Sequence, residues 1–137
     1  MHMKKIVFKL SLLYLFIFLF CSKIYSNDRE LIVNEIKNTI ESNLDITDTI
    51  KLFYSETLYE PYWQNNKSKI NDLLNILTDS YKEGIPTNRY EIQNIINLNI
   101  SKKESDIAKL DIMLTKNFLL HAKDLSKGII DPLKLSS

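Results

Sequence analysis

The most informative segment of this 137-residue chain is "SDIAKLDIMLTKNFLLHAKDLSKG", residues 105–128. Its apolar residues recur at intervals of three and four, which is the spacing of one face of an α-helix; they are Ile107, Leu110, Leu114, Phe118, Ala122 and Leu125. Lysines follow the opposite side, at Lys102, Lys109, Lys116, Lys123 and Lys127. Because the apolar arc is wide, we predict a central helix from about residue 105 to Lys127, packed against several others and ending at Gly128.

Two polar side chains, Asp111 and Thr115, project into this apolar arc. A buried carboxylate without a hydrogen-bonding or charged partner costs several kcal/mol, so the pattern predicts a partner for Asp111. Backbone N–H groups of a loop, or of the first turn of another helix, are the expected donors. Our candidate for the segment that donates is the turn "GIPTNRY", residues 84–90.

The rest of the chain also has helical spacing. Apolar periodicity predicts helices within residues 28–44, 45–59, 68–84 and 91–98. Ser68 is the expected N-cap of the third helix and Gly84 its left-handed C-cap. The chain has only 2 Gly and 3 Pro, which disfavours a many-stranded sandwich or barrel. We therefore predict an all-α fold, a small bundle of about five helices.

The only tryptophan, Trp63, lies in "LYEPYWQNN", residues 58–66, between two predicted helices. Pro61 prevents the preceding helix from continuing. One interpretation is a platform, on which Trp63 with Tyr59 and Tyr62 stacks against a sugar ring or a peptide. The other, which we favour, is a plug that enters the bundle where Pro61 turns the chain. A buried Trp needs a partner for its indole N–H.

The first 26 residues have a different pattern from the rest of the chain. A basic head, "MHMKK", precedes the apolar run at residues 10–20 and the processing region "CSKIYSN". This pattern predicts a signal peptide over residues 1–26, with an uncleaved anchor as the alternative. The predicted domain then spans residues 27–132, followed by a tail at 133–137.

Charge and residue types exclude several function classes. The chain has 18 basic and 17 acidic residues, and loss of four leader lysines leaves 14 against 17, a net charge of −3. We therefore expect no nucleic-acid partner. The mature chain would hold no cysteine and one histidine, His121, which we interpret as a packed helical residue. We expect no catalytic residue, no cofactor and no metal site.

Three phrases in order then resemble the scaffold domain of large periplasmic L,D-transpeptidases. "LFYSETLYEPYWQNN" resembles its Phe-Tyr … Tyr-x-Pro-x-Trp opening, and "LLNILTDSYKEGIPTNRY" resembles its Gly-Leu-x-Pro-x-x-Tyr turn. "KLDIMLTKNFLLHAKDLSKGIIDP" is similar to its Leu-Asp-x-x-Leu-Thr helix and Gly-x-x-x-Pro exit. By this resemblance the matching scaffold residues are Tyr54, Tyr59, Pro61, Trp63, Gly84, Pro86, Tyr90, Asp111, Thr115, Gly128 and Pro132.

The resemblance implies a periplasmic, non-catalytic scaffold associated with peptidoglycan cross-linking. The catalytic Cys and His of such enzymes belong to a downstream domain with a Ser-x-Gly-Cys-x-Arg phrase, and this sequence has no such phrase. We therefore expect either a truncated or split product, or a free-standing relic of such an enzyme, whose partner is an L,D-transpeptidase catalytic domain or peptidoglycan. The alternative is a free-standing secreted helical protein-interaction module. An enzyme that acts through Glu or Asp alone ranks last.

Overall fold

The computed structural model of the chain describes residues 27–127 together with Tyr14 and Ile17. Most of the predicted signal peptide lies outside these residues, as do Gly128, Pro132 and the predicted tail. No helix in the described part of the chain is both long and apolar enough to cross a membrane.

The chain divides into two compact units, Met1–Leu31 and Ile32–Ser137. The described residues of the first unit are helical. Helix α1 of the second unit covers residues 32–42. The other helices of that unit are α2 (Asp48–Glu56), α3 (Lys67–Asp79), α4 (Ile92–Asn99) and α5 (Glu104–Lys127). Between α3 and α4 lie two 3₁₀ turns, Ser80–Glu83 and Thr87–Arg89. The described residues contain no strand, and the predicted all-α bundle of about five helices is confirmed.

Helix α5 is the central element, as its wide apolar arc predicts. On one side it contributes Leu110 and Leu114 to a core shared with α3, α4 and the turn between them. On another side Ala108 and Ile112 join a core shared with α1 and α2. One long helix therefore holds two packed layers, and each layer buries one apolar stripe of the shorter helices.

Local chemistry explains where the helices of the second half begin and end. Helix α3 begins one residue before the predicted Ser68, because the side chain of Asn66 accepts a hydrogen bond from the backbone N–H of Lys69 at 3.4 Å. The predicted Ser68 cap is therefore wrong. Gly84 is left-handed as predicted, with φ of 78°, a conformation that glycine adopts without steric cost, but it caps the 3₁₀ turn that follows α3, and the C-cap of α3 itself is Ser80.

The predicted apolar arc of α5 is wrong in its C-terminal half. Phe118, Ala122 and Leu125 are exposed, whereas His121 and Asp124 are buried. The reason is that the buried face of α5 turns towards the 3₁₀ region after α3 in this half. Polar partners for both buried side chains are available there.

Candidate functional site

The polar centre of the molecule is the Asp111 carboxylate, which is only 1% exposed. Its Oδ1 accepts hydrogen bonds from the Tyr54 hydroxyl at 2.7 Å and from the backbone N–H of Tyr62 at 3.1 Å. Its Oδ2 accepts from the backbone N–H of Trp63 at 2.7 Å. These bonds offset part of the desolvation of the carboxylate and fix the loop after Pro61 on α5.

The donors of Asp111 are backbone N–H groups of a loop, together with one side chain, but the loop differs from the one expected. The proposed turn at residues 84–90 is wrong, and the donating N–H groups are those of Tyr62 and Trp63. The turn at 84–90 instead packs against the following part of α5, through Tyr90 and His121.

Counting protons fixes which atom is the donor in each hydrogen bond around Asp111. The Tyr54 hydroxyl has one proton and donates it to Asp111, so at the 3.0 Å contact between Tyr54 and Thr115 the threonine hydroxyl is the donor. Thr115 in turn accepts from the indole Nε1–H of Trp63 at 3.0 Å. The chain of donors runs from Trp63 through Thr115 and Tyr54 to Asp111, and each bond polarises the next.

Burial shifts the pKa values of this cluster. Desolvation raises the pKa of Asp111 above its usual value, while the hydrogen bonds from Trp63 and Tyr54 oppose the rise. Desolvation, followed by the nearby charge of Asp111, raises the pKa of the Tyr54 hydroxyl well above its ordinary range. The hydroxyl therefore stays protonated and remains a donor.

The backbone before Pro61 is shaped to deliver these donors. Leu58 and Tyr59 both have positive φ, at 54° and 60°. The N–H of Tyr59 bonds back to the carbonyl of Tyr54 at 2.7 Å, which ends α2. Two successive left-handed non-glycine residues are strained. The downstream hydrogen bonds to Asp111 compensate for this strain.

Trp63 occupies the junction as a plug, with its side chain 7% exposed. Its ring lies 5.2 Å from Tyr62 and 6.3 Å from Phe118, both in edge-on geometry. The indole N–H donates its hydrogen bond to the Thr115 hydroxyl. Because the faces of a buried ring cannot stack on a ligand, the structure favours the plug interpretation over the platform.

A second polar cluster, in which Tyr90, His121 and Asp124 are buried and Arg89 is exposed, joins the 84–90 turn to the end of α5. Arg89 makes two parallel hydrogen bonds of 2.8 Å to the carboxylate of Asp124. The Tyr90 hydroxyl lies 2.9 Å from Nδ1 of His121 and 3.4 Å from Asp124. Burial, with the charge of Asp124 as the next cause, raises the pKa of Tyr90 to about 12. Nε2 of His121 lies 3.7 Å from Glu83.

The other residues matched by resemblance are more peripheral. Tyr59 is half-buried and its hydroxyl donates to Glu41 at 3.0 Å. Pro61 is half-buried, whereas Gly84 and Pro86 are exposed. Of the residues matched by resemblance, the structure therefore brings Tyr54, Trp63, Asp111 and Thr115 together in one cluster, and it places Tyr59, Pro61, Gly84 and Pro86 outside that cluster.

Sequence reasoning missed Arg89 and Asp124, and it did not connect His121 with Tyr90. A usable signal was present in α5. Asn117, His121 and Asp124 continue the helical spacing of Leu110 and Leu114, so they lie on the same buried face.

An open apolar groove of 330 Å³ borders the Trp63 plug. Its walls include Phe53, Tyr62, Ile76 and Phe118. Within the described ranges, no three His, Cys, Asp or Glu side chains are grouped so that they could hold a metal ion.

The described site fixes backbone segments to one another. Every buried side-chain nitrogen or oxygen in the described part of the chain has a hydrogen-bond partner, and both oxygens of Asp111 are already used. This is the arrangement of a structural support. A family model described as "Scaffold domain" matches residues 48–137, more than half of the chain, and the chain belongs to that family. Comparison with curated proteins gives no match, and comparison with solved structures gives none.

Proposed function

We propose that this chain is the non-catalytic scaffold of an L,D-transpeptidase-like protein in the periplasm. Its role is to hold a catalytic domain, or the peptidoglycan that this domain cross-links, in a fixed position. The observation that carries the proposal is the Scaffold domain match over residues 48–137, a range that includes all three phrases resembling these enzymes.

The contacts within the domain support a positioning role. Tyr54 and Trp63 of the first phrase are fastened to Asp111 and Thr115 of the third. Tyr90 of the second phrase is fastened to His121 of the third. A support must keep its shape under load. Tying three distant segments to one helix by buried hydrogen bonds gives that rigidity.

Co-sedimentation with purified peptidoglycan sacculi tests the cell-wall link. We expect the full chain to be enriched in the pellet relative to an unrelated helical protein of similar size and charge. Lys123→Glu, an exposed change on α5, serves as the matched control and should bind as wild type does. Equal recovery of the chain and the unrelated protein would count against a direct wall contact.

A second assay tests the other possible partner. An isolated L,D-transpeptidase catalytic domain is mixed with the full chain, and the yield of cross-linked stem peptide is measured. We expect the chain to raise that yield while producing no cross-link alone. If both assays are negative, the secreted interaction module becomes the better assignment. A neighbouring reading frame that encodes Ser-x-Gly-Cys-x-Arg would separately favour the scaffold.

A further inference from the structure

The groove beside Trp63 presents an apolar surface that the described residues leave open. Tyr62, Ile76 and Phe118 are 49%, 50% and 51% exposed, although all three are large apolar side chains that line it. Leu125, seven residues or about two turns beyond Phe118 on α5, is also exposed. Contiguous apolar surface of this kind, rimmed by charged residues, marks an interaction site.

The rim of the groove carries one charge of each sign on the same helix. Lys69 and Asp72 both line the groove, and their spacing of three residues places them side by side on α3, next to Ile76. Nζ of Lys69 lies 5.0 Å from the centre of the Tyr62 ring, so it sits directly at the apolar surface. Nζ of Lys69 also donates a 3.4 Å hydrogen bond to the Tyr62 hydroxyl, and the Asp72 carboxylate accepts a 3.5 Å hydrogen bond from the Ser68 hydroxyl.

We propose that this groove binds a second copy of the chain, in a two-fold symmetric pair. In such a pair each surface meets itself, so a residue that contacts its opposite number is contacted in return. Antiparallel apposition of the two α3 helices about an axis between Lys69 and Asp72 places each lysine opposite the aspartate of the other copy. In this arrangement Ile76 of each copy lies near the segment of the other copy that contains Tyr62.

Charge favours this occupant over an acidic or a basic partner. A uniformly charged partner satisfies one rim residue and repels the other, whereas a second copy satisfies both at once. The formal net charge is +1 for the whole chain and −3 without the predicted signal peptide, so two copies experience little overall repulsion in either form. The exposed halves of a few side chains give less than the ~800 Å² per partner of a standard interface. We therefore expect a weak dimer, with a Kd between about 10 µM and 1 mM.

A charge-exchange experiment tests the pairing. Lys69→Glu gives a rim with two acids, and Asp72→Lys gives a rim with two bases. Each variant should associate with itself about tenfold or more weakly than wild type, because two attractive pairs become two repulsive ones. An equimolar mixture of the two variants restores both attractions. It should therefore associate as strongly as wild type.

Tagged and untagged full chains are combined at equal concentration in low salt, and the untagged chain retained with the tagged one is quantified. Circular dichroism confirms that each variant is folded. Lys123→Glu, which removes an exposed positive charge outside the groove lining, is the control and should pair as wild type does. Capture of Asp72→Lys by tagged Lys69→Glu, without capture of either variant by itself, establishes the interface.

Equal capture in all pairings would show association through other residues, for example the apolar N-terminal run, and would overturn the proposal. No capture of wild type by wild type at about 1 mM, the weak end of the expected range, would also overturn it. The groove would then have another occupant, such as a segment of the same chain or a different protein.

Discussion

Replacement of Asp111 by Asn changes one atom at the centre of the polar cluster. The carboxylate accepts three hydrogen bonds, two at Oδ1 and one at Oδ2. An asparagine side chain offers one carbonyl oxygen and an NH₂ group that can only donate. With its oxygen at the Oδ1 position it retains Tyr54 and the Tyr62 N–H, and its NH₂ then faces the N–H of Trp63.

The expected cost follows from that geometry. A buried N–H group without an acceptor costs about 1–3 kcal/mol, so Asp111→Asn should lower the free energy of unfolding by about 2 kcal/mol. Asp111→Ala leaves all three donors without their acceptor and removes a fully desolvated partner, which should cost about 3–5 kcal/mol. For a domain of this size, 2 kcal/mol corresponds to a fall in melting temperature of roughly 8–16 °C.

Urea unfolding at neutral pH measures these differences. The fluorescence of the single tryptophan reports the junction, and circular dichroism reports the helices. Asp79→Asn is the matched control: Asp79 is exposed and pairs with Lys82 on the surface, so its loss should cost less than about 1 kcal/mol. If Asp111→Asn were no more costly than Asp79→Asn, the carboxylate would not hold the loop, and the reasoning would fail.

Three further results are expected. Trp63→Ala should lower the free energy of unfolding by about 3–5 kcal/mol, because it removes a large buried side chain. Trp63→Phe keeps a ring but loses the bond to Thr115, and it should lower the free energy of unfolding by about 1 kcal/mol. An unchanged unfolding midpoint for Trp63→Ala would refute burial. The pKa of a tyrosine is ordinarily near 10, and in the fold that of Tyr90 is raised to about 12. Its contribution to stability is therefore complete below pH 10 and is lost as pH rises through about 12. The fall in melting temperature over that pH window should be shallower in Tyr90→Phe. Gly84→Ala should cost about 1–2 kcal/mol through backbone conformation alone, since φ is 78° and no atom lies within 4 Å of the added Cβ; Ser126→Ala on the exposed end of α5 is its control.

The sequence predicts the helices well because each carries its own periodic signal. Helix α5 begins at Glu104, one residue before its predicted start, and α4, at Ile92–Asn99, agrees with the predicted 91–98 to within one residue at each end. Periodicity and helix-ending residues are local, so they need no knowledge of the tertiary fold. The need of Asp111 for hydrogen-bond donors can also be predicted from the sequence alone, because it follows from the cost of burying a charge.

Which loop supplies those donors is not a local property. From the sequence alone, the 84–90 turn and the loop after Pro61 are both possible sources of N–H donors, and periodicity does not say which of them α5 meets. The error at Phe118 has a similar origin. Two stripes diverge from Leu114 along α5, one apolar through Phe118 and one polar through His121, and hydropathy selects the apolar one. The buried stripe is polar because Tyr90 and Arg89 supply partners from outside the helix.

The long sequence separation inside the polar cluster has a consequence for how the molecule is made. Tyr54 and Trp63 lie 48 to 61 residues before the side chains they contact on α5. A nascent chain that has produced only its first three helices therefore lacks the acceptors that hold the strained turn at Leu58 and Tyr59. Tertiary folding has to wait for the last helix to be synthesised, which keeps the earlier part of the chain open during its passage from the ribosome.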